Sequence, residues 1–166
     1  MSVARGEFIA AMRTVAHSVA VVTTGGVAGR HGATVSSFCS ASADPPSMLV
    51  SLRAASRIAR LVTGNGAFCI NVLGEQQRPL ADRFAGADDA GTDDRFSGIA
   101  LACEREPLPV LRAAATAFRC RVGDTFVAGS HLVVVGTVIE VRAGSARPLT
   151  YRDGTYYAAP AQLAGA

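Results

Sequence analysis

The sequence contains no lysine and no tryptophan, and only 6% of its 166 residues are aromatic. Without lysine there can be no Schiff-base catalysis and no G-x-x-x-x-G-K-[ST] phosphate loop. No G-x-G-x-x-G follows a strand. The cluster Gly25-Gly-x-x-Gly29 has the wrong spacing and leads into another β-rich run, so a Rossmann dinucleotide unit is excluded. A G-x-S-x-G nucleophile elbow is also missing. The four cysteines, Cys39, Cys69, Cys103 and Cys120, form no C-x-x-C pair and lie in or beside apolar stretches. That spacing argues against zinc and for small core residues in a reducing compartment. No segment approaches the roughly 18 consecutive apolar residues of a membrane span. Met1 to Ala11 carries Arg5 and Glu7 and lacks an apolar stretch of signal-peptide length, so a cytoplasmic location is expected.

What remains is apolar. Hydrophobic residues make up 49% of the chain and charged residues 17%, enough for a packed core in one domain spanning 1–166. So many apolar residues in so small a domain leave some to be covered between subunits. The net charge is +3, and all sixteen basic residues are arginines scattered without a run, which makes nucleic acid a poor partner. An anionic ligand must then be held by arginine, backbone N–H groups or hydroxyls.

Periodicity predicts a helix over Glu7 to Ala16, a strand over Ser18 to Thr24, a turn over Gly25 to Gly32 and a strand over Ala33 to Ser42 stopped by Asp44-Pro-Pro46. Further strands are expected at Met48 to Leu52, Ala67 to Leu73, Leu101 to Arg105, Ala114 to Asp124 and His131 to Arg142, with a last hairpin over Leu149 to Tyr157. Helices are expected at Ser56 to Val62 and Gln76 to Phe84, and a mobile polar loop at Ala85 to Ser97. Six or seven strands with two or three short helices, lacking strict βαβ alternation, indicate a mainly β protein built as an antiparallel barrel.

Four places carry candidate chemistry. The densest is Thr34-Val-Ser-Ser-Phe-Cys-Ser-Ala-Ser42, with five hydroxyls in nine residues. On one strand, Thr34, Ser36, Phe38, Ser40 and Ser42 share a face. Such a strip is either a solvated surface or a bed for a flat ligand, and its poverty in charge favours the ligand. At Ser51-Leu-Arg-Ala-Ala-Ser-Arg57 a strand ends, a cation follows and Ser56 caps a helix, an arrangement that serves equally as an ordinary cap or as an anion site. Arg83-Phe84 closes a helix beside the polar loop. His131 follows the Gly129-Ser130 turn at the mouth of a long strand, as a structural histidine or as a partner for a cofactor amide or phosphate. His17 and His31 lack polar company.

In combination, these pieces resemble the short-chain flavin reductase family. The resemblance runs from about Phe8 to Tyr157. Its motifs are Gly32-Ala-Thr-Val-Ser-Ser-Phe-Cys-Ser-Ala-Ser-x-Asp-Pro-Pro46, Asn65-Gly-x-Phe-x-Ile-Asn-Val-Leu73, Leu80-Ala-Asp-Arg-Phe-Ala-Gly86, Gly129-Ser-His131 and Pro148-Leu-Thr-Tyr151. It implies a flavin-reductase-like, FMN-binding split β-barrel. The implied activity is NAD(P)H-dependent reduction of FMN or FAD, supplied to a separate two-component monooxygenase of the 4-hydroxyphenylacetate type. It also implies a homodimer. Thr34, Val35, Ser36 and Ser37 would meet the ring edge and ribityl chain. Ser51, Leu52, Arg53, Ser56 and Arg57 would hold the ribityl and phosphate groups, and Arg83 and Phe84 would close over the phosphate end. His131 and Tyr156 would contact the nicotinamide. Family members usually have Gly-Asp-His where this chain has Ser130, which leaves NADH or NADPH open. Two alternatives stay open: reduction of another bound acceptor such as a cobalt corrinoid, and flavin binding without catalysis.

Overall fold

The computed structural model describes residues 2–87 and 94–159. Among them are ten strands in two antiparallel sheets and three short α-helices. In chain order these are helix α1 (Arg5–Arg13), β1 (His17–Ser18), β2 (Ala20–Thr24), β3 (His31–Val35), β4 (Phe38–Ala43), β5 (Pro46–Arg53), α2 (Arg57–Asn65), β6 (Ala67–Val72), a 3-10 turn (Glu75–Gln77), α3 (Arg78–Phe84), β7 (Thr116–Ala128), β8 (His131–Ala143), β9 (Leu149–Arg152) and β10 (Thr155–Ala158). The main sheet has the order β3-β2-β6-β7-β8-β5-β4, and β1, β9 and β10 form a small second sheet.

The expected single strand over Ala33 to Ser42 is instead two strands at opposite edges of the main sheet. This one correction explains the barrel. A flat seven-stranded sheet would be about 29 Å wide at roughly 4.8 Å per strand. From Val35 to Phe38 the chain can span no more than about 11 Å, at 3.8 Å per residue step. The sheet must therefore curl until its edges nearly meet. Ser36 and Ser37 cross the seam, and Ser37 then extends the β4–β5 ladder one step beyond the Phe38–Val50 pair: the Ser51 amide donates to the Ser37 carbonyl at 2.9 Å and the Ser37 hydroxyl donates to the Ser51 carbonyl at 2.8 Å. The edges do not zip into a continuous ladder, so the barrel stays split.

Other boundaries shift for local reasons. Asp44-Pro45 is the turn of a hairpin, and Pro46 opens β5 where its missing N–H costs nothing. The β7 and β8 strands run 13 residues each because they pair with each other beyond the reach of β6. Leu101 makes only an isolated bridge to Leu111, so no strand forms over Leu101 to Arg105. The expected helix over Glu7 to Ala16 is Arg5–Arg13 and has no buried residue. Of the expected loop at Ala85 to Ser97, positions 88–93 lie outside the described residues.

The barrel core gathers Val22, Val50, Ile70, Phe68 and Val134 with Ile58 and Val62 of α2, all essentially inaccessible to solvent. A second cluster under α3 contains Phe84 and Phe96, whose rings meet edge to face at 5.1 Å. Gly32 is required there, because a Cβ would sit 2.6 Å from the Phe84 ring. Cys69 and Cys120 are buried as expected, but Cys39 is exposed on β4 and Cys103 is half-buried. Burial raises both buried thiols, that of Cys120 to about 12, so they are not nucleophiles near neutral pH.

One buried polar cluster was not foreseen. The Asn71 amide donates to the Val21 carbonyl and the Thr23 hydroxyl, while its oxygen accepts from the Leu111 amide at 2.9 Å. The Thr23 hydroxyl in turn donates to the Pro109 carbonyl. Two strands thereby grip the irregular segment before β7. Asn71→Ala should lower the unfolding free energy by about 2–3 kcal/mol, because several buried groups lose partners at once. Urea unfolding measures this; a loss near zero would show that water replaces the amide.

Candidate active site

The seam sits over a pocket of about 300 Å³. Thr34, Val35, Ser36 and Ser37 line one side, Ser51, Leu52, Arg53 and Ser56 the other, and His131 stands at the end. Nine residues singled out from the sequence thus come together. Ala33 and Ile58 complete the lining and were not anticipated. Both are apolar positions indistinguishable in sequence from core residues.

Pairing in the sheet brings His131 to the site. It is the cross-strand partner of Arg53, and the Ser130 carbonyl accepts from the Ala54 amide at 3.0 Å. Gly129 takes the left-handed conformation (φ 58°) that turns β7 into β8. His131 is exposed, with its Nδ1 3.0 Å from the Ser130 hydroxyl. This bond fixes the ring and leaves Nε2 without a protein partner among the described residues. Ser130 is thus an orienting residue, visible in sequence only as its neighbour.

The hydroxyls divide by commitment. Thr34 donates to the Ala81 carbonyl at 2.7 Å and anchors α3 to β3. Ser37 is spent on Ser51 of β5 and Ser42 on its own turn at Asp44. Ser56 accepts from the Ala59 amide at 3.3 Å and donates to the Arg53 carbonyl at 2.6 Å, capping α2 as expected. The Ser36 hydroxyl has no protein partner among the described residues and is exposed. The expected common face of Thr34, Ser36, Phe38, Ser40 and Ser42 does not exist, because the strand breaks at Ser36.

Arg53 forms no ion pair among the described residues, and no carboxylate lines the pocket. Beside it, the first turn of α2 presents backbone amides without intrahelical partners. Free hydroxyl, unpaired guanidinium, helix start and no acid suit a polyol ending in phosphate. The residues present therefore fit a flavin mononucleotide moiety.

Beyond Ser36 a second pocket of about 190 Å³ adjoins the first, lined by Val19, Thr34, Val35, Ser36, Tyr151 and Tyr156. The Tyr151 and Tyr156 rings pack edge to face at 5.3 Å. Burial, with the Asp82 carboxylate next, raises the Tyr156 hydroxyl above its ordinary value, so it stays protonated and donates to Asp82.

Three expected residues are not at either pocket. Arg57 is exposed on α2. Phe84 is fully buried and belongs to the core cluster with Phe96. Arg83 donates to the Ser97 carbonyl at 2.7 Å, and its buried Nε has no partner among the described residues. At a helix end beside a polar loop, sequence cannot separate a residue facing a ligand from one facing the core.

The sequence profile of the flavin reductase-like domain matches residues 12–160. The chain belongs to this family. It is 36% identical over 156 residues to an FMN reductase (NADH), RutF, from Bradyrhizobium diazoefficiens, covering 93% of this chain and 86% of the relative. The structure superimposes on the styrene monooxygenase flavin reductase of Pseudomonas putida with a TM-score of 0.82 at 30% identity, over 94% of this chain and 99% of that one. Nitrilotriacetate monooxygenase component B from Mycobacterium thermoresistibile gives 0.82 at 27% identity, over 96% and 92%.

Ser37→Ala should cost about 1 kcal/mol in urea unfolding, since it removes the hydrogen bond that ties the end of the crossing to β5, whereas Ser36→Ala should leave stability unchanged within about 0.5 kcal/mol. Equal losses for the two would contradict this division of the hydroxyls.

Proposed function

We propose that the protein is an NAD(P)H:flavin oxidoreductase that reduces FMN or FAD and passes the reduced flavin to a separate monooxygenase. The observation that carries this reading is the pocket at the barrel seam, which joins an uncommitted Ser36, an unpaired Arg53 and an oriented His131 with no carboxylate among them. A bound flavin supplies hydride acceptance from a reduced nicotinamide, chemistry that needs no protein acid or base. The absence of a catalytic dyad is then expected.

The residues of this chain bind and orient. Arg53 and the open amides at the start of α2 hold the phosphate, and Arg57 and Arg83 add positive charge at greater distance. Backbone groups of Val35, Ser36 and Ser37 face the ring edge and polyol, where amide donors stabilise developing negative charge. His131, fixed by Ser130, orients the nicotinamide carboxamide. Tyr156, its hydroxyl held by Asp82, presents its ring at the same end of the groove. Both FMN and FAD carry the part these residues recognise.

The assembly and setting belong to the same proposal. Phe126, Ile139 and Val141 are each more than half exposed on the long β7–β8 hairpin, apolar positions suited to burial in a homodimer. The chain acts as one domain, with its core over about 8–157, in the cytoplasm. Among the described residues no helix is long and apolar enough to cross a membrane.

The purified protein mixed with FMN or FAD should consume NADH or NADPH in air. No turnover with any of the four pairs would contradict the assignment. His131→Ala should raise the KM for nicotinamide while flavin affinity stays within about twofold. Arg53→Ala should weaken FMN binding about tenfold and riboflavin binding hardly at all, because riboflavin lacks the phosphate. Equal weakening of both would show that Arg53 does not meet the phosphate.

A further inference from the structure

Consecutive residues of α3 hold the smaller pocket from two directions. To that pocket β3 contributes Thr34, and the β9–β10 hairpin contributes Tyr151 and Tyr156. Thr34 donates to the Ala81 carbonyl at 2.7 Å, and the following residue, Asp82, accepts from the Tyr156 hydroxyl. Tyr156 stands on an edge strand, since β10 pairs only with β9 among the described residues. Its half-buried ring meets Tyr151 edge to face at 5.3 Å. The Arg78 guanidinium lies over the ring, 5.6 Å from its centroid, and Arg78 Nε is 3.6 Å from Asp82 Oδ2 one helical turn on. Asp82, Arg78 and Tyr156 thus close a triangle in which each meets the other two.

Folding stability does not call for this triangle. The Arg78 and Asp82 side chains are 67% and 46% exposed, and ion pairs so placed add little to folding. What the triangle fixes is the direction of a ring. A phenol held at its oxygen and covered on one face by a guanidinium cannot swing about its Cα–Cβ bond, whereas an edge strand alone would leave it free to do so. Arg78 also balances the carboxylate that stands beside the pocket. Resting on the flavin reductase reading, we propose that Asp82 and Arg78 are positioning residues for hydride transfer, holding the Tyr156 ring as the wall against which the nicotinamide is set. Neither touches the reacting atoms. Their effect passes through Tyr156, and a misplacement of about 1 Å at such a wall can cost about a hundredfold in rate. Asp82 and Arg78 lie on the same helix as Ala81, which anchors Thr34, so α3 sets the pocket from both β3 and β10.

The test measures kcat/KM for NADH, flavin affinity and urea unfolding in four variants. Asp82→Ala should lower kcat/KM for NADH about tenfold, while flavin affinity stays within about twofold and the urea midpoint does not move. Asp82→Asn keeps an oxygen that accepts from the phenol and should restore kcat/KM to within about threefold of the wild type. Tyr156→Phe keeps the ring and loses the tether, so it should match Asp82→Ala, and combining the two should cost nothing further. Arg78→Ala leaves the tether and should lower kcat/KM about threefold. A value for Asp82→Ala within about twofold of the wild type would overturn the proposal. So would a double variant as poor as the product of its singles, or flavin affinity and urea midpoint that fall in step with activity. If the wild type reduces no flavin with either nicotinamide, the flavin reductase reading fails by itself. Tyrosine-ring NMR with nicotinamide mononucleotide then decides the role of Asp82. Tyr156 signals that shift on binding, with affinity about tenfold weaker in Asp82→Ala, would uphold it. Unmoved Tyr156 signals, or equal affinity in both proteins, would overturn it.

Discussion

The rest of the structure depends on one crossing. Two residues, Ser36 and Ser37, carry the chain between the opposite edges of a seven-stranded sheet. So short a link permits only a curled sheet, and Ser37 bonds twice to Ser51 at that point. The regular ladders stop at Val35 and resume at Ser37, and this is where the pocket opens. Fold closure and the candidate ligand site are thus one feature. Gly32, packed against Phe84, and Thr34, bonded to the Ala81 carbonyl, fix the strand that enters the seam. The Arg53–His131 register fixes the strand that leaves it.

This geometry explains why the site is poor in titratable groups. Hydride transfer between two stacked rings asks the protein for position and a compatible electrostatic setting. The strong charge network lies elsewhere, on the sheet over β7 and β8. Arg142 and then Arg119 hold the Glu140 carboxyl below its ordinary value, and Glu106 joins them. A carboxylate lowered in the folded state stabilises the fold at neutral pH, and that contribution fades as acid protonates it. The network braces the segment that Asn71 and Thr23 grip from the other side.

Much of this was legible in the sequence, for stated reasons. Apolar and β-branched runs marked β5, β6 and β8, alternation marked β7, a serine before an apolar run marked the α2 cap, and turn residues marked the hairpins. The hydroxyl-rich stretch pointed to the seam pocket but suggested the wrong shape. Period-two counting cannot detect a strand that stops at Ser36 and resumes on another edge, because both halves keep the same alternation. Long-range burial was equally hidden. Phe84 at a helix end read as a residue near ligand, yet Gly32 and Phe96 make it core. Asn71, within an apolar strand, gave no sign that it would bond Leu111 forty positions on. The family resemblance supplied the word flavin; the structure supplied the reason that this seam can hold one.

The most direct test of the central claim is an amide NMR titration of the uniformly labelled protein with FMN. The account predicts the largest shift changes at residues 34–37, 51–57 and 130–131, the two sides of the seam and its histidine. Shift changes confined to other surfaces, with the seam unmoved at saturating FMN, would contradict it.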